Sequence, residues 1–191
     1  MNKITNFKGD EYENNDCRRY TRQRAVLQLC ELFKDSGAQK LLLLGDILYH
    51  GPRNALPQGY DPKKVCALLN PLKDSILCVR GNCDSEVDQM VLNFSVLSDS
   101  ALLFLNGHTF LAAHGHLFTE NSPPPLAEGD ILLYGHTHVP KFEKKDGHLC
   151  INPGSVSIPK ENSPNSCIIL NDSTVNHCDL YGHVYMQNDI I

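Results

Sequence analysis

Short apolar runs separated by polar turns dominate this chain, and most of the runs are followed within three residues by a glycine and then a polar residue. Segment 21–36 carries apolar residues at helical spacing and is followed by Gly37, the residue type that commonly ends a helix. Asp61 and Pro62 have the form of an N-cap followed by a proline at the first helical position. The pattern therefore predicts two helices in the first half of the chain.

The remaining apolar runs have the length and composition of buried strands. The predicted strands span 41–44, 76–79, 102–105, 109–113, 131–134, 149–151 and 167–170. Asn106-Gly107 separates the third run from the fourth and predicts a β-hairpin. Because the first half alternates helix and strand while the second half is rich in strands, we expect one layered α/β domain over 21–191, preceded by an atypical polar segment over 1–20.

Composition narrows the classes of function. The length of 191 residues suits a single domain with its own core, and the net charge of −5 without a basic run argues against a surface for nucleic acid. No apolar run approaches the ~20 residues that span a bilayer, and no export signal is evident. The eight cysteines form no C-x-x-C pair. We therefore expect a cytoplasmic protein with reduced thiols and no membrane contact; a homo-oligomer is compatible with the sequence.

Side chains that can bind a metal follow the ends of four predicted strands. They are Asp46, Asn82, His114, His116, His136 and His138. Because ligands of α/β sheets bind beyond the carboxyl ends of the strands, these donors are expected to meet in one place. Gly-Asp and Gly-Asn are also common turn sequences, but two histidines two residues apart after a buried strand are rarely structural. Carboxylate, amide and imidazole together suit Mn²⁺, Fe or Zn²⁺.

The order of these motifs carries a family resemblance. They run Gly45-Asp46, Gly81-Asn82-Cys83-Asp84, His114-Gly115-His116, Gly135-His136-Thr137-His138 and Asn152-Pro153-Gly154-Ser155. In this order the chain resembles the calcineurin-like metallophosphoesterase superfamily, and its bacterial phosphodiesterases in particular. The resemblance implies a four-layer α/β/β/α sandwich, a dinuclear centre of the Mn²⁺ type, and hydrolysis of a small phosphodiester substrate.

The same resemblance implies a role for each metal-binding residue. Asp46 falls on the family's bridging carboxylate, and His138 falls on a ligand to the first metal. The ligands to the second metal fall on Asn82, His114 and His136. Asp46 and Asn82 are in addition assigned to catalysis.

Four further residues receive roles near the substrate. His116 is expected to contact the substrate phosphate or to act as a proton donor in catalysis. Cys83 stands where many relatives have a histidine near the leaving group, and Asp84 is expected to orient a neighbouring imidazole. Arg53 is expected to pair with a phosphate. A buried packing thiol for Cys83 and a surface position for Arg53 are the simpler alternatives.

One family motif is missing from this chain. The family has an Asp-x-His after its first strand, which gives two ligands to the first metal, whereas no histidine here precedes His50. Asp10 and Glu13 are carboxylates near the expected position, and Ile4 and Phe7 are the apolar residues where a strand is expected. We therefore expect a preserved second metal site and a weakened or empty first site. A shifted reading frame at the N-terminus and a degenerate family member both explain the loss.

Two functions of different classes follow from this pattern. The first is a metal-dependent phosphodiesterase that uses a metal-activated water. The second is a catalytically inactive protein of the same fold that serves as a binding scaffold, as the retromer scaffold subunit of this superfamily does. The retained ligand set favours the enzyme, since a scaffold gains nothing from a cluster of buried imidazoles.

Overall fold

The computed structural model describes residues 22–49, 61–119 and 121–190. Its elements in chain order are α1 (Arg22–Ser36), β1 (Leu41–Leu43), α2 (Pro62–Leu69), a 3₁₀ turn (Asn70–Leu72), β2 (Ile76–Cys78), α3 (Glu86–Val91), β3 (Ser100–Leu105), β4 (His108–Ala113), β5 (Ile131–Tyr134), β6 (Pro140–Lys145), β7 (His148–Pro153), β8 (Ser166–Asn171), β9 (Thr174–Asp179) and β10 (Val184–Asp189). The predictions made for segment 1–20, including Asp10 and Glu13, and for Arg53 lie outside the described residues.

The local signals that predicted the first elements are confirmed. Helix α1 ends at Ser36, and Gly37 follows with a φ of 70°. The side chain of Asp61 caps α2 by accepting a hydrogen bond from the backbone nitrogen of Lys64 at 3.2 Å. Asn106 and Gly107 have φ values of 52° and 83°, the left-handed pair that a tight hairpin between β3 and β4 requires.

Four elements were not predicted: α3, β6, β9 and β10. Helix α3 exposes its apolar residues, so it lacks an apolar inner face, although the capping box between Ser85 and Asp88 marks its start. Strand β6 has the sequence PKFEKK at the edge of a sheet, where lysines discourage further pairing. Apolar content therefore identified strands with continuous apolar runs and missed strands rich in polar residues, including β9 at the centre of the three-stranded sheet.

The sheet topology gathers the ends of several strands. β1 and β2 pair in parallel, and the five-stranded sheet has the order β3-β4-β5-β7-β6 with β4, β5 and β7 parallel to one another. The third sheet is antiparallel in the order β10-β9-β8. Because β4 and β5 are adjacent and parallel, the histidine motifs that follow them emerge at the same edge.

Two apolar clusters hold the layers together. The first combines helices and the short parallel sheet, with Leu29 of α1 and Leu43 of β1 among its buried members. The second lies between the five-stranded and three-stranded sheets, where Ile151 of β7 packs in the same cluster as Val175 of β9. The predicted mixed α/β fold with one sheet packed on another is confirmed. Among the described residues, no helix has the length and apolar character needed to cross a membrane.

Candidate metal centre

Four predicted ligands meet around one ring nitrogen of His114. The Nε2 atom of His114 lies 3.1 Å from His136 Nδ1, 3.2 Å from Asn82 Oδ1 and 3.4 Å from Asp46 Oδ2. Donor atoms of Asp46, His114 and His136 all lie within 4.8 Å of one another. Asp46 and Asn82 follow β1 and β2, while the two histidines follow β4 and β5. The structure therefore brings four strand ends to one point.

The chemistry of these atoms fits a bound cation. His114 Nδ1 lies against the backbone carbonyl of Leu44, which only accepts hydrogen bonds, so Nδ1 carries the proton. In the neutral form of the ring, His114 Nε2 then presents a lone pair toward the carboxylate of Asp46. The amide nitrogen of Asn82 lies 3.2 Å from the Cys83 sulfur, which leaves its oxygen facing His114. Lone pairs that converge in this way repel unless a cation lies among them, and a mixed nitrogen and oxygen set suits a divalent transition metal.

The backbone is held in an unfavourable conformation at three predicted ligands. Asp46, His136 and His138 have φ values of 54°, 61° and 65°. Non-glycine residues in this left-handed region cost of the order of 1–3 kcal/mol each and occur preferentially at functional sites. Packing and hydrogen bonds around the site must therefore maintain this conformation.

Two glycines allow the loops after β1 and β2 to approach each other closely. A Cβ atom on Gly45 would lie 2.7 Å from the Cα atom of Gly81 and 2.9 Å from His114 Nδ1. A Cβ atom on Gly81 would overlap the backbone nitrogen and the carboxylate of Asp46. No side chain larger than hydrogen fits at either position without moving the predicted metal ligands.

The expectation that Asp84 orients an imidazole is wrong. Its buried carboxylate accepts hydrogen bonds from the backbone nitrogens of Asp46 at 2.7 Å, Ile47 at 2.8 Å and Gly81 at 2.8 Å. Burial raises the pKa of Asp84, while these N–H groups act in the opposite direction. Asp84 therefore ties the two ligand-bearing loops together through their main chains, which places Asp46 beside the loop of Asn82.

We expect Asp84→Asn to lower the free energy of unfolding by about 2–3 kcal/mol, because an amide NH₂ would face backbone N–H groups that now have a charged acceptor. Urea denaturation measures this change. Asp88→Asn is the matched control: the Asp88 carboxylate also accepts a backbone hydrogen bond, from Ser85 at 2.8 Å, but at the start of α3 and half-buried. In the control variant the free energy of unfolding should fall by about 1 kcal/mol or less. Equal losses in the two variants would contradict the proposed tie between loops.

Electrostatics distinguish His114 from its neighbours. Burial acts to lower the pKa of His114, but the Asp46 carboxylate and the Leu44 carbonyl outweigh it, so the pKa is raised. The pKa of His136 is lowered, first by burial and then by the charge of His114. The Asp46 carboxylate thus favours positive charge at His114, whereas the imidazole of His136 stays neutral and can act as a metal ligand.

His116 and His138 stand beside this cluster. The ring of His116 lies 5.3 Å from that of His114 and 6.3 Å from that of His136, measured between centroids. Its Nδ1 atom is buried without a hydrogen-bond partner among the described residues. His138 Nδ1 lies 2.9 Å from the carbonyl oxygen of Ile158, so its Nε2 atom is the one left to bind a metal. His138 is not a member of the three-residue donor cluster found in the described part of the chain.

Sequence reasoning missed the contacts made by main-chain atoms and one carboxamide. The carbonyls of Leu44 and Ile158 set the tautomers of two histidines, and any residue type could supply them. The Cys83 backbone nitrogen donates to Asp46 Oδ1 at 2.9 Å, a role independent of its thiol. The sequence predicted a structural role for Asn152 in the loop beside the site, but not its hydrogen bond to the Gly135 carbonyl, next to His136.

The chain is similar to known phosphoesterases in sequence and in fold. Residues 21–174 match the calcineurin-like phosphoesterase superfamily domain. Phosphodiesterase YfcE of Escherichia coli is 47% identical over 151 residues, which is 79% of this chain and 82% of that protein. A structure of YfcE, described as a phosphoesterase, superposes with a TM-score of 0.84 at 44% identity and covers 87% of this chain and 92% of that chain.

A more distant likeness concerns the fold alone. A crystal structure of a Vps29 double mutant from Entamoeba histolytica superposes with a TM-score of 0.52 at 17% identity, covering 92% of this chain and 93% of that chain. The same layered arrangement therefore occurs in proteins whose sequences have diverged widely.

Proposed function

The chain belongs to the calcineurin-like phosphoesterase superfamily, and from that premise we propose that it hydrolyses phosphodiester bonds of a small substrate with the help of Mn²⁺. The observation that carries the proposal is the convergence of Asp46, Asn82 and His136 on the lone pair of His114. The 47% identity to a phosphodiesterase supports the choice of a diester over other phosphate esters.

The roles we propose for the ligands are those that the family resemblance implies. The second metal would be held by Asp46, Asn82, His114 and His136. The first metal would be held by Asp46 and His138. Divalent ions in such sites supply polarisation of a phosphoryl oxygen and a lowered pKa for water. The chain's contribution is to fix its donors: Leu44 sets the tautomer of His114.

His116 is proposed to act on the substrate directly. Its ring lies beside His114 and His136, and its pKa is lowered, first by burial and then by the charge of His114. A neutral imidazole can donate a hydrogen bond to a phosphoryl oxygen, whereas protonation of the leaving group would need the imidazolium form that the lowered pKa disfavours. Because Cys83 stands where many relatives have a histidine, we propose that esters with an acidic leaving group, such as a phenol, are hydrolysed best.

The first metal site is proposed to be weaker than the second. Two of its implied ligands, Asp46 and His138, are present, whereas the Asp-x-His motif is absent from the sequence before His50. The second site retains all four of its implied donors. We therefore expect one tightly bound ion for each chain.

The proposal is tested by titrating the metal-free chain with Mn²⁺ and assaying hydrolysis of a chromogenic diester with a nitrophenol leaving group. We expect one tight ion per chain, turnover that a chelator abolishes, and recovery when Mn²⁺ is restored. Two tightly bound ions would contradict the weakened first site. A chain that binds no Mn²⁺ would contradict the whole proposal.

The second candidate function is a binding scaffold that has kept the fold without catalysis. The observation that favours it is the missing Asp-x-His motif, since loss of two ligands removes part of the reactive centre. The same titration separates the two functions, because a scaffold with a residual site would bind Mn²⁺ and show no diester turnover above the metal-only background.

A further inference from the structure

A fully buried histidine lies in the apolar interface between two sheets. His177 of β9 has no exposed surface and is two residues from Val175, which belongs to the cluster between the sheets. Residues two apart on a strand face the same side, so His177 also faces the five-stranded sheet. Its Nε2 atom lies 2.9 Å from the backbone oxygen of Asn152 in β7. Since a carbonyl only accepts, the imidazole donates.

Asn152 connects this contact to the candidate metal centre. Its side chain is completely buried, and its Nδ2 atom donates to the Gly135 carbonyl at 2.9 Å and to Thr137 Oγ1 at 3.1 Å. Its Oδ1 atom accepts from the backbone nitrogen of Gly154 at 2.9 Å. Gly135 and Thr137 stand on either side of His136, so the carboxamide clamps the segment that carries two predicted ligands.

We propose that His177 is a positioning residue that acts through Asn152 to hold the 135–138 segment in its ligand-presenting conformation. The inference rests on the proposed function only in that His136 and His138 are taken as metal ligands. The path runs from the imidazole to the Asn152 carbonyl by a hydrogen bond, through the covalent bonds of Asn152 to its carboxamide, and from there to the segment by two further hydrogen bonds. His177 itself touches neither a metal ligand nor substrate.

Packing alone does not explain an imidazole at this position. An aliphatic side chain would fill an apolar interface without the cost of burying a polar ring, which is unfavourable unless the ring is hydrogen-bonded. Burial lowers the pKa of His177, so the ring stays neutral and carries a single N–H group. That N–H group, at Nε2, donates to the Asn152 carbonyl, while Nδ1 is buried without a hydrogen-bond partner among the described residues.

The backbone of residues 135–138 includes two left-handed residues, which explains why the Asn152 carboxamide is needed to hold it. His136 and His138 have φ values of 61° and 65°, a left-handed conformation that costs a non-glycine residue of the order of 1–3 kcal/mol. Loss of the His177 contact should therefore loosen this segment before it loosens the rest of the fold.

Three variants test the proposal. His177→Leu removes the donor at similar volume, and His177→Gln keeps an amide N–H at the same number of bonds from Cα. Val175→Ala is the control, because it creates a cavity in the same interface without touching Asn152. Hydrogen exchange of residues 135–139 in the metal-free chain and the absorption spectrum and affinity of bound Co²⁺ are measured for each.

The expected pattern is specific. His177→Leu should speed exchange in the 135–139 segment by about tenfold relative to the rest of the chain, weaken Co²⁺ binding by about tenfold and change its spectrum. His177→Gln should restore the exchange rate, the Co²⁺ affinity and the Co²⁺ spectrum. Val175→Ala should lower the unfolding temperature. It should leave the hydrogen exchange of residues 135–139 and the spectrum of bound Co²⁺ unchanged.

Two results would overturn the positioning role. One is that hydrogen exchange of residues 135–139, relative to the rest of the chain, is no faster in His177→Leu than in Val175→Ala. The other is that His177→Gln fails to restore the slow exchange and the Co²⁺ binding that His177→Leu loses. If the unaltered chain bound no Co²⁺ or Mn²⁺, the proposed function would fail, while the exchange comparison would still decide the role of His177.

Discussion

Replacing Asp46 with asparagine is expected to reduce Mn²⁺-dependent hydrolysis of a chromogenic phosphodiester by about 10³-fold. Metal catalysis contributes several kcal/mol to such reactions, and each ~1.4 kcal/mol is a factor of ten in rate. Asp46 is the one carboxylate in the donor cluster found among the described residues. Without its charge, the site loses the anion that attracts and neutralises a divalent ion.

The substitution is conservative in every other respect. Asp46 has a φ of 54°, a conformation that asparagine adopts readily, and its Oδ1 atom accepts a hydrogen bond from the Cys83 backbone nitrogen that an amide oxygen can also accept. The fold should therefore survive, with an unchanged circular dichroism spectrum and nearly the same unfolding midpoint. Loss of activity would then report the missing charge.

Asp172→Asn is the matched control for this experiment. Asp172 is exposed in the turn between β8 and β9 and has a φ of 49°, so the same chemical change occurs in the same backbone conformation away from the site. The control should keep full activity. Equal diester turnover in the Asp46→Asn variant and the unaltered chain would show that the hydrolysis does not come from this centre, and it would favour the scaffold.

The sequence predicted the candidate site better than it predicted the complete fold. Asp46, Asn82, His114 and His136 were identified because each follows a buried apolar strand, and adjacent parallel strands end at one edge. That argument needs only the period of the strands and the rule that ligands bind at their carboxyl ends. Strand β6 escaped detection because its lysines conceal the strand pattern that its neighbours show.

The contacts that support the ligands were harder to predict, since their chemistry is not written in side-chain types. The carbonyl of Leu44 orients His114, yet a leucine in a strand gives no sign of this role. Asp84 was identified as important but given the wrong partner, because its three hydrogen bonds go to backbone nitrogens of two loops that are distant in sequence. Such contacts depend on how closely loops approach, which only three-dimensional coordinates reveal.

Close approach of the loops also determines the second large effect, which we expect from Gly81→Ala. A Cβ atom at this position would lie 2.8 Å from Asp46 Cγ and still closer to the Asp46 backbone nitrogen, so the loop that carries Asp46 must move. Overpacking of this kind costs about 3 kcal/mol or more when the backbone itself is displaced. We expect that loss in urea denaturation, together with a fall of about 100-fold in Mn²⁺ affinity, because ligands displaced by a fraction of an ångström lose their shared geometry.

Gly135→Ala separates this steric effect from the general cost of replacing a glycine at the end of a strand. Gly135 also follows a buried strand within the site, and neither residue has a left-handed φ. A Cβ atom on Gly135 would meet its nearest neighbours, the His114 oxygen and Leu44 Cβ, at 3.4 Å and 3.5 Å, which are ordinary contacts. Gly135→Ala should therefore keep Mn²⁺ binding and change the free energy of unfolding by less than about 1 kcal/mol. Equal effects of the two substitutions would mean that the loops after β1 and β2 are not in the tight contact from which the position of Asp46 was derived.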